Sequence, residues 1–159
     1  MSEKASILKD QTEYIYERIR RTVEGLTEKE MKWKPTEVSN SVEWILNHMA
    51  RISNLSLPRI IKGDPEYKPK NWPDDYREIH HSLEKMLIDI ENGKKVVLEG
   101  IGKLTAAQLE EEIPLWGETR KRKIGLFAYL GELLHHNGQI AYLRGTMKRL
   151  KEKDPNFSK

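Results

Sequence analysis

The sequence contains no cysteine, and nowhere does it reach the ~18 consecutive apolar residues that a membrane-crossing helix needs. The first absence excludes a disulfide framework, a cysteine metal site and a nucleophilic thiol supplied by the chain itself. The second excludes a membrane-spanning helix. An excess of one charge is missing too: 28 Lys and Arg stand against 25 Asp and Glu, for a net charge of +3. The two signs are interspersed, whereas a nucleic-acid binder gathers its basic excess in one place. The nearest approach is Arg120-Lys-Arg-Lys123, four residues set between Glu118 and the apolar positions from Leu126, which argues against nucleic acid as a partner. Met1-Ser-Glu-Lys-Ala5 lacks the apolar centre of a secretory signal, so a cytoplasmic protein is expected, with no membrane partner. Internal repeats, low-complexity segments and alternating strand patterns are also missing.

What is present is helical periodicity. Leu8, Gln11, Ile15, Ile19, Val23 and Leu26 recur every three or four residues and predict a first helix over 3–26. Thr27-Glu-Lys-Glu30 has the form of a capping box opening a short turn. Asn40 and Glu43 suggest a second cap, for a helix whose inner face holds Val42, Ile45, Met49, Ile52 and Ser56 and which Pro58 should kink or end. A third helix is expected from about Asp74, with Ile79, Leu83, Met86 and Ile90 inward and Gly93 weakening or bending its middle. Thr105 to Glu112 reads as another capped turn, Pro114-Leu-Trp-Gly117 as a crossover loop, and 122–151 as the last helix. Four long helices with short to medium connections predict an all-α four-helix bundle. The 159 residues suffice for one domain over 1–159, with about 152–159 frayed.

The last helix carries Gly131-Glu-Leu-Leu-His-His-Asn-Gly-Gln-Ile-Ala-Tyr-Leu-Arg-Gly145, many polar groups for a segment that packs against others. At 100° per residue, Leu126, Leu130, Leu133, Asn137, Ile140 and Met147 share one face, and His136 falls within it. Glu132 lies one turn earlier on the flank, next to His136, and Gln139 continues that edge. His135 points roughly 130° away from the centre of the face. His48 sits at the edge of the second helix's apolar face. His48, Glu132 and His136 can therefore reach one interior region, with the two imidazoles and one carboxylate that a divalent metal needs. The plainer alternative is a hydrogen-bonded core histidine, or a simple His48–Glu132 pair. His80 and His81 leave their apolar face and are expected on the surface. The Glu-x-x-His spacings Glu132/His135 and Glu78/His81 invite a di-iron reading, but Glu78, His81 and His135 do not point inward.

Gly25-Leu-Thr-Glu-Lys-Glu-Met-Lys-Trp-Lys-Pro35, then Ser39-Asn-Ser-Val-Glu-Trp-Ile-Leu-Asn-His48, then His136-Asn-Gly-Gln-Ile140, together resemble the DinB-like (DinB/YfiT) superfamily. The resemblance covers nearly the whole chain in order. It implies a DinB/YfiT-type bundle with a medium-length crossover loop before the last helix, often assembled as a homodimer. It also implies a metal held by a histidine of the second helix and two residues four apart on the last. His48 and His136 match two of these positions. The middle one, usually histidine, is Glu132 here, as in the mycothiol-dependent isomerase branch, and carboxylate oxygen is an ordinary zinc ligand. Asn137 stands where arginine is common.

The function implied is that of a metal-dependent enzyme, with zinc or nickel at His48, Glu132 and His136. Characterised members bind an external low-molecular-weight thiol at the open coordination position and use its thiolate on an electrophile, for transfer or isomerisation. The alternatives are a metal-dependent hydrolase on the same site, which needs a separate general base, and a non-enzymatic dimeric bundle. A homodimer would have the row Trp44, Leu46, Ile60 and Ile61 available as its contact, and the open position is expected under a roof formed by 114–117.

Overall fold

The computed structural model describes residues 2–157. Helix α1, Glu3–Val23, is capped by Ser2, whose hydroxyl accepts from the Ala5 N–H at 3.2 Å. The short α2, Glu28–Lys32, has the full capping box expected at Thr27 and Glu30. Helix α3, Val42–Arg51, continues through a wider turn at Ile52–Ser56 into α4, Leu57–Lys62. Helix α5 is Leu83–Lys103 and α6 is Ala106–Glu110. A hairpin of β1, Glu112–Leu115, and β2, Glu118–Lys121, leads into α7, Arg122–Lys153. The bundle has four columns: α1 and the α3–α4 column each lie between α5 and α7. This is the all-α bundle that the periodicity predicts.

Several local expectations change, each for a physical reason. In α1 it is Thr12 and Tyr16, not Gln11, that turn inward. Their hydroxyls make this tolerable: Thr12 donates to the Leu8 carbonyl at 2.7 Å and Tyr16 to Ser53 Oγ at 2.9 Å. Ser41, not Asn40, caps α3, accepting from the Trp44 N–H. Pro58 neither kinks nor ends the second column. Its ring would collide with the carbonyl of Asn54 in a regular helix, and the π-type turn closed by Leu57 N–H to Ile52 O makes room. The column ends at Gly63, whose φ of 68° suits glycine.

Helix α5 starts at Leu83, nine residues later than Asp74. The Tyr76 carbonyl is occupied by Asn47 Nδ2 at 3.0 Å and His81 Nε2 at 2.9 Å, so it does not serve a helical N–H. Tyr76 is stacked between Trp72 and His81 and donates to Asp89 at 2.7 Å. His81 is thus buried, contrary to expectation, while Ile79 is exposed. Gly93 lies inside an unbroken α5, where a Cβ would meet Ser53 atoms at 2.6–2.8 Å. It is there to let α5 approach the second column.

The segment around 114–117 is not a loop but a hairpin. Leu115 and Glu118 pair across a two-residue turn in which Trp116 and Gly117 have φ of 54° and 78°. Positive φ at both central positions marks the tight turn whose twist matches paired strands. The basic run beside it is neutralised within the fold: Arg120 pairs with Glu118, Arg122 with Glu111, and Lys121 and Lys123 with Glu110. Leu46, Ile60 and Ile61 are core residues, so of the row expected to form a dimer contact only Trp44 is exposed. Helix α7 runs two residues past Lys151, and Phe157 packs edge-on against Trp33, so 152–157 is not a loose tail. The last two residues of that expected tail, 158 and 159, lie outside the described residues. Among the described residues, no helix is long and apolar enough to cross a membrane.

Candidate metal centre

Helices α3 and α7 pack against each other, and their contact brings His48 next to Glu132 and His136. The two α7 residues are four apart and share a row, so the carboxylate stands one turn above the imidazole. Their ligating atoms and that of His48 lie within 4.8 Å of one another. Glu132 Oε2 is 3.3 Å from His136 Nε2 and 3.8 Å from His48 Nε2. Two donors sharing an ion at ~2.1 Å stand at most ~4.2 Å apart, so both of these pairs already fit. The side chains grade from inside to outside. His136 is 8% exposed, His48 26% and Glu132 51%, so the carboxylate is the group facing solvent.

His136 carries the most telling detail. Its Nδ1–H donates to Gln139 Oε1 at 2.8 Å, and the Gln139 amide in turn donates to His135 Nε2 at 3.1 Å. With its proton on Nδ1, His136 presents a bare lone pair at Nε2. That atom is buried and has no hydrogen-bond partner. It faces a carboxylate oxygen at 3.3 Å, so in this tautomer two electron-rich atoms point at each other. A cation relieves that repulsion. Gln139 is the kind of outer partner that fixes a ligating histidine's tautomer and orientation. The residues present therefore fit a divalent metal.

The surroundings of His48 are different. Trp44 stacks on its ring at 5.5 Å and meets His136 edge-on at 6.3 Å, roofing the pair from α3. This is the part the hairpin was expected to play. Trp116 instead donates to Tyr129, seven residues before His136 and so ~10 Å back along α7. Burial first, with Arg51 adding to it, holds the His48 pKa below its usual value, against the opposing pull of Glu132. His48 therefore stays neutral below the usual histidine range.

The sequence profile of the DinB superfamily matches residues 11–140. The chain belongs to the DinB superfamily. Two solved structures share the DinB-type fold at identities that speak to the fold alone. A conserved protein from Enterococcus faecalis superposes with a TM-score of 0.70 at 16% identity, covering 91% of this chain and 96% of that one. A DinB-like protein from Bacillus subtilis gives 0.67 at 17%, covering 87% and 91%. No curated protein matches.

Other site expectations divide cleanly. His135 is exposed, as the helical wheel requires, but it is not idle, since it holds the Gln139 amide. Only the i, i+4 spacing of His135 and Gln139 hinted at this relay. His80 is exposed and pairs with Glu43. His81 and Glu78 sit ahead of α5 rather than on it, so the Glu-x-x-His spacing there carries no helical meaning. Asn137 is buried with Oδ1 unpartnered, on the core side of α7.

Proposed function

We propose that this DinB-type bundle is a metal-dependent enzyme whose ion, zinc or nickel, is held by His48, Glu132 and His136. The supporting observation is the buried, partnerless Nε2 of His136 turned toward the Glu132 carboxylate. An ion there would supply Lewis acidity, lowering the pKa of a thiol or water molecule at its open position. The chain's own residues do the rest. Gln139 keeps the proton of His136 on Nδ1, so Nε2 remains a donor. Trp44 excludes water from the α3 side of both rings, while Glu132 leaves the solvent side open.

Thiol chemistry is favoured over hydrolysis because the triad has no fourth titratable group to spare. Among the described residues, His48, Glu132 and His136 alone form a metal-capable group, with no second carboxylate in it. With Glu132 committed as ligand, hydrolysis would need a general base from outside the triad. The thiol must come from outside, since the chain has no cysteine. Transfer or isomerisation on a small electrophile is the reaction class. The test is calorimetry of a small thiol such as 2-mercaptoethanol against zinc-loaded and zinc-free protein. Binding with proton release only when zinc is present supports the reading, and indifference to zinc rejects it.

A further inference from the structure

Trp44 and Arg51 have a second face, away from the triad. There α3 meets the 77–81 segment around a polar cavity of about 410 Å³. Arg51 and Arg77 both line it. Some arginines find carboxylates: Arg20 and Arg21 share Glu17, Arg120 takes Glu118 and Arg122 takes Glu111. These two do not. Arg51 donates only to neutral acceptors, Asn47 Oδ1 at 3.0 Å and His48 Nδ1 at 3.2 Å. Arg77 makes no hydrogen bond or ion pair among the described residues. The two arginines also share the lining of a second, adjoining cavity, again together with Glu78. The backbone at Arg77 is anchored, because it follows Tyr76, which is buried and bonded to Asp89.

Two guanidiniums lining one cavity, neither hydrogen-bonded to a carboxylate, match the planar, bidentate geometry of a carboxylate. The charge of the cavity narrows the choice. Lys34, Arg51 and Arg77 stand against Glu43 and Glu78, an excess of one positive charge that suits a monoanion. Glu43 is already engaged by His80. We propose that this cavity binds the carboxylate of a small organic acid between Arg51 and Arg77, with the rest of the acid against Trp44. The electrophile served by the metal centre is then an organic acid. That last step rests on the metal reading above, whereas carboxylate binding itself does not.

Arg51 also links the two sites. A guanidinium can only donate, so His48 Nδ1 accepts and the ring proton sits on Nε2. A metal on Nε2 requires the proton on Nδ1, which ends the bond from Arg51 and leaves its guanidinium for the carboxylate. Metal and acid should each strengthen the other's binding, by the same factor.

The experiment is calorimetry, with tryptophan fluorescence alongside, of benzoate and its neutral isostere benzamide against the full chain, with and without zinc. Benzoate should bind the zinc-free chain at least about ten-fold more tightly than benzamide, and more tightly again with zinc. Arg77→Gln, at an exposed position, should weaken benzoate about ten-fold and leave zinc content unchanged, and Glu78→Gln should tighten benzoate. Equal binding of the two isosteres, or no effect of Arg77→Gln, overturns the proposal. Benzoate bound by a chain that takes no zinc supports the subsite while removing the metal reading. Zinc bound by a chain indifferent to benzoate does the reverse.

Discussion

At His136 the two ring nitrogens do different things: Nδ1 donates to Gln139, and Nε2 is left bare against Glu132. Replacing Gln139 by leucine removes the acceptor that fixes this tautomer, and metal affinity measured by competition with a chelating dye should fall roughly 10- to 100-fold. Gln139→Glu keeps an acceptor and should lose far less. His135→Ala frees the outer end of the amide but leaves all three ligands, so the metal should stay. Acid should act through His48. Its pKa is lowered by folding, so the unfolded chain takes up this proton first, near 6.5, as pH falls. The stability tied to neutral His48 is complete above that value and is lost between it and the lower folded pKa. Metal affinity should fall as acid protonates the ligating histidines, which a pH series of dye competition would show. The juxtaposition of the three groups was partly legible, because spacing alone puts Glu132 and His136 on one row. The Gln139–His135 relay and the arginines without a carboxylate partner were not, since each depends on where one side chain finds its neighbours in the fold.

At the scale of elements, two glycines make opposite predictions. Gly93 faces Ser53 backbone atoms less than 3 Å from where a Cβ would sit, so Gly93→Ala should force α5 away from the second column. The cost should be about 1–3 kcal/mol or more by urea denaturation. Gly131 has nothing within 4 Å of that point, and Gly131→Ala should stabilise α7 by up to about 1 kcal/mol through helix propensity. Equal effects would mean that the close approach at Gly93 is wrong. Periodicity disclosed α1, α3 and α7 because each buries one regular face. It failed at Asp74, where Tyr76 stacks and bonds through long-range partners, and at Trp116-Gly117, where a two-residue turn hides in a four-residue stretch. Pro58 misled for a related reason: a proline forbids a regular helix, but not a widened turn.

For the whole molecule, the assembly remains a proposal from the family likeness. Its contact is not the row of Leu46, Ile60 and Ile61, which is core. Leu46→Ala should therefore destabilise the protomer by roughly 2–5 kcal/mol, seen as a lower urea midpoint, and not simply separate subunits. Light scattering at tens of micromolar that gives the mass of a single chain would contradict a dimer. The central claim, however, is the metal. It is tested most directly by elemental analysis of protein purified without a histidine tag, alongside His136→Ala and His135→Ala. The account predicts close to one zinc or nickel per chain in the parent and in His135→Ala, and none in His136→Ala. Metal retained by His136→Ala but lost by His135→Ala would contradict it.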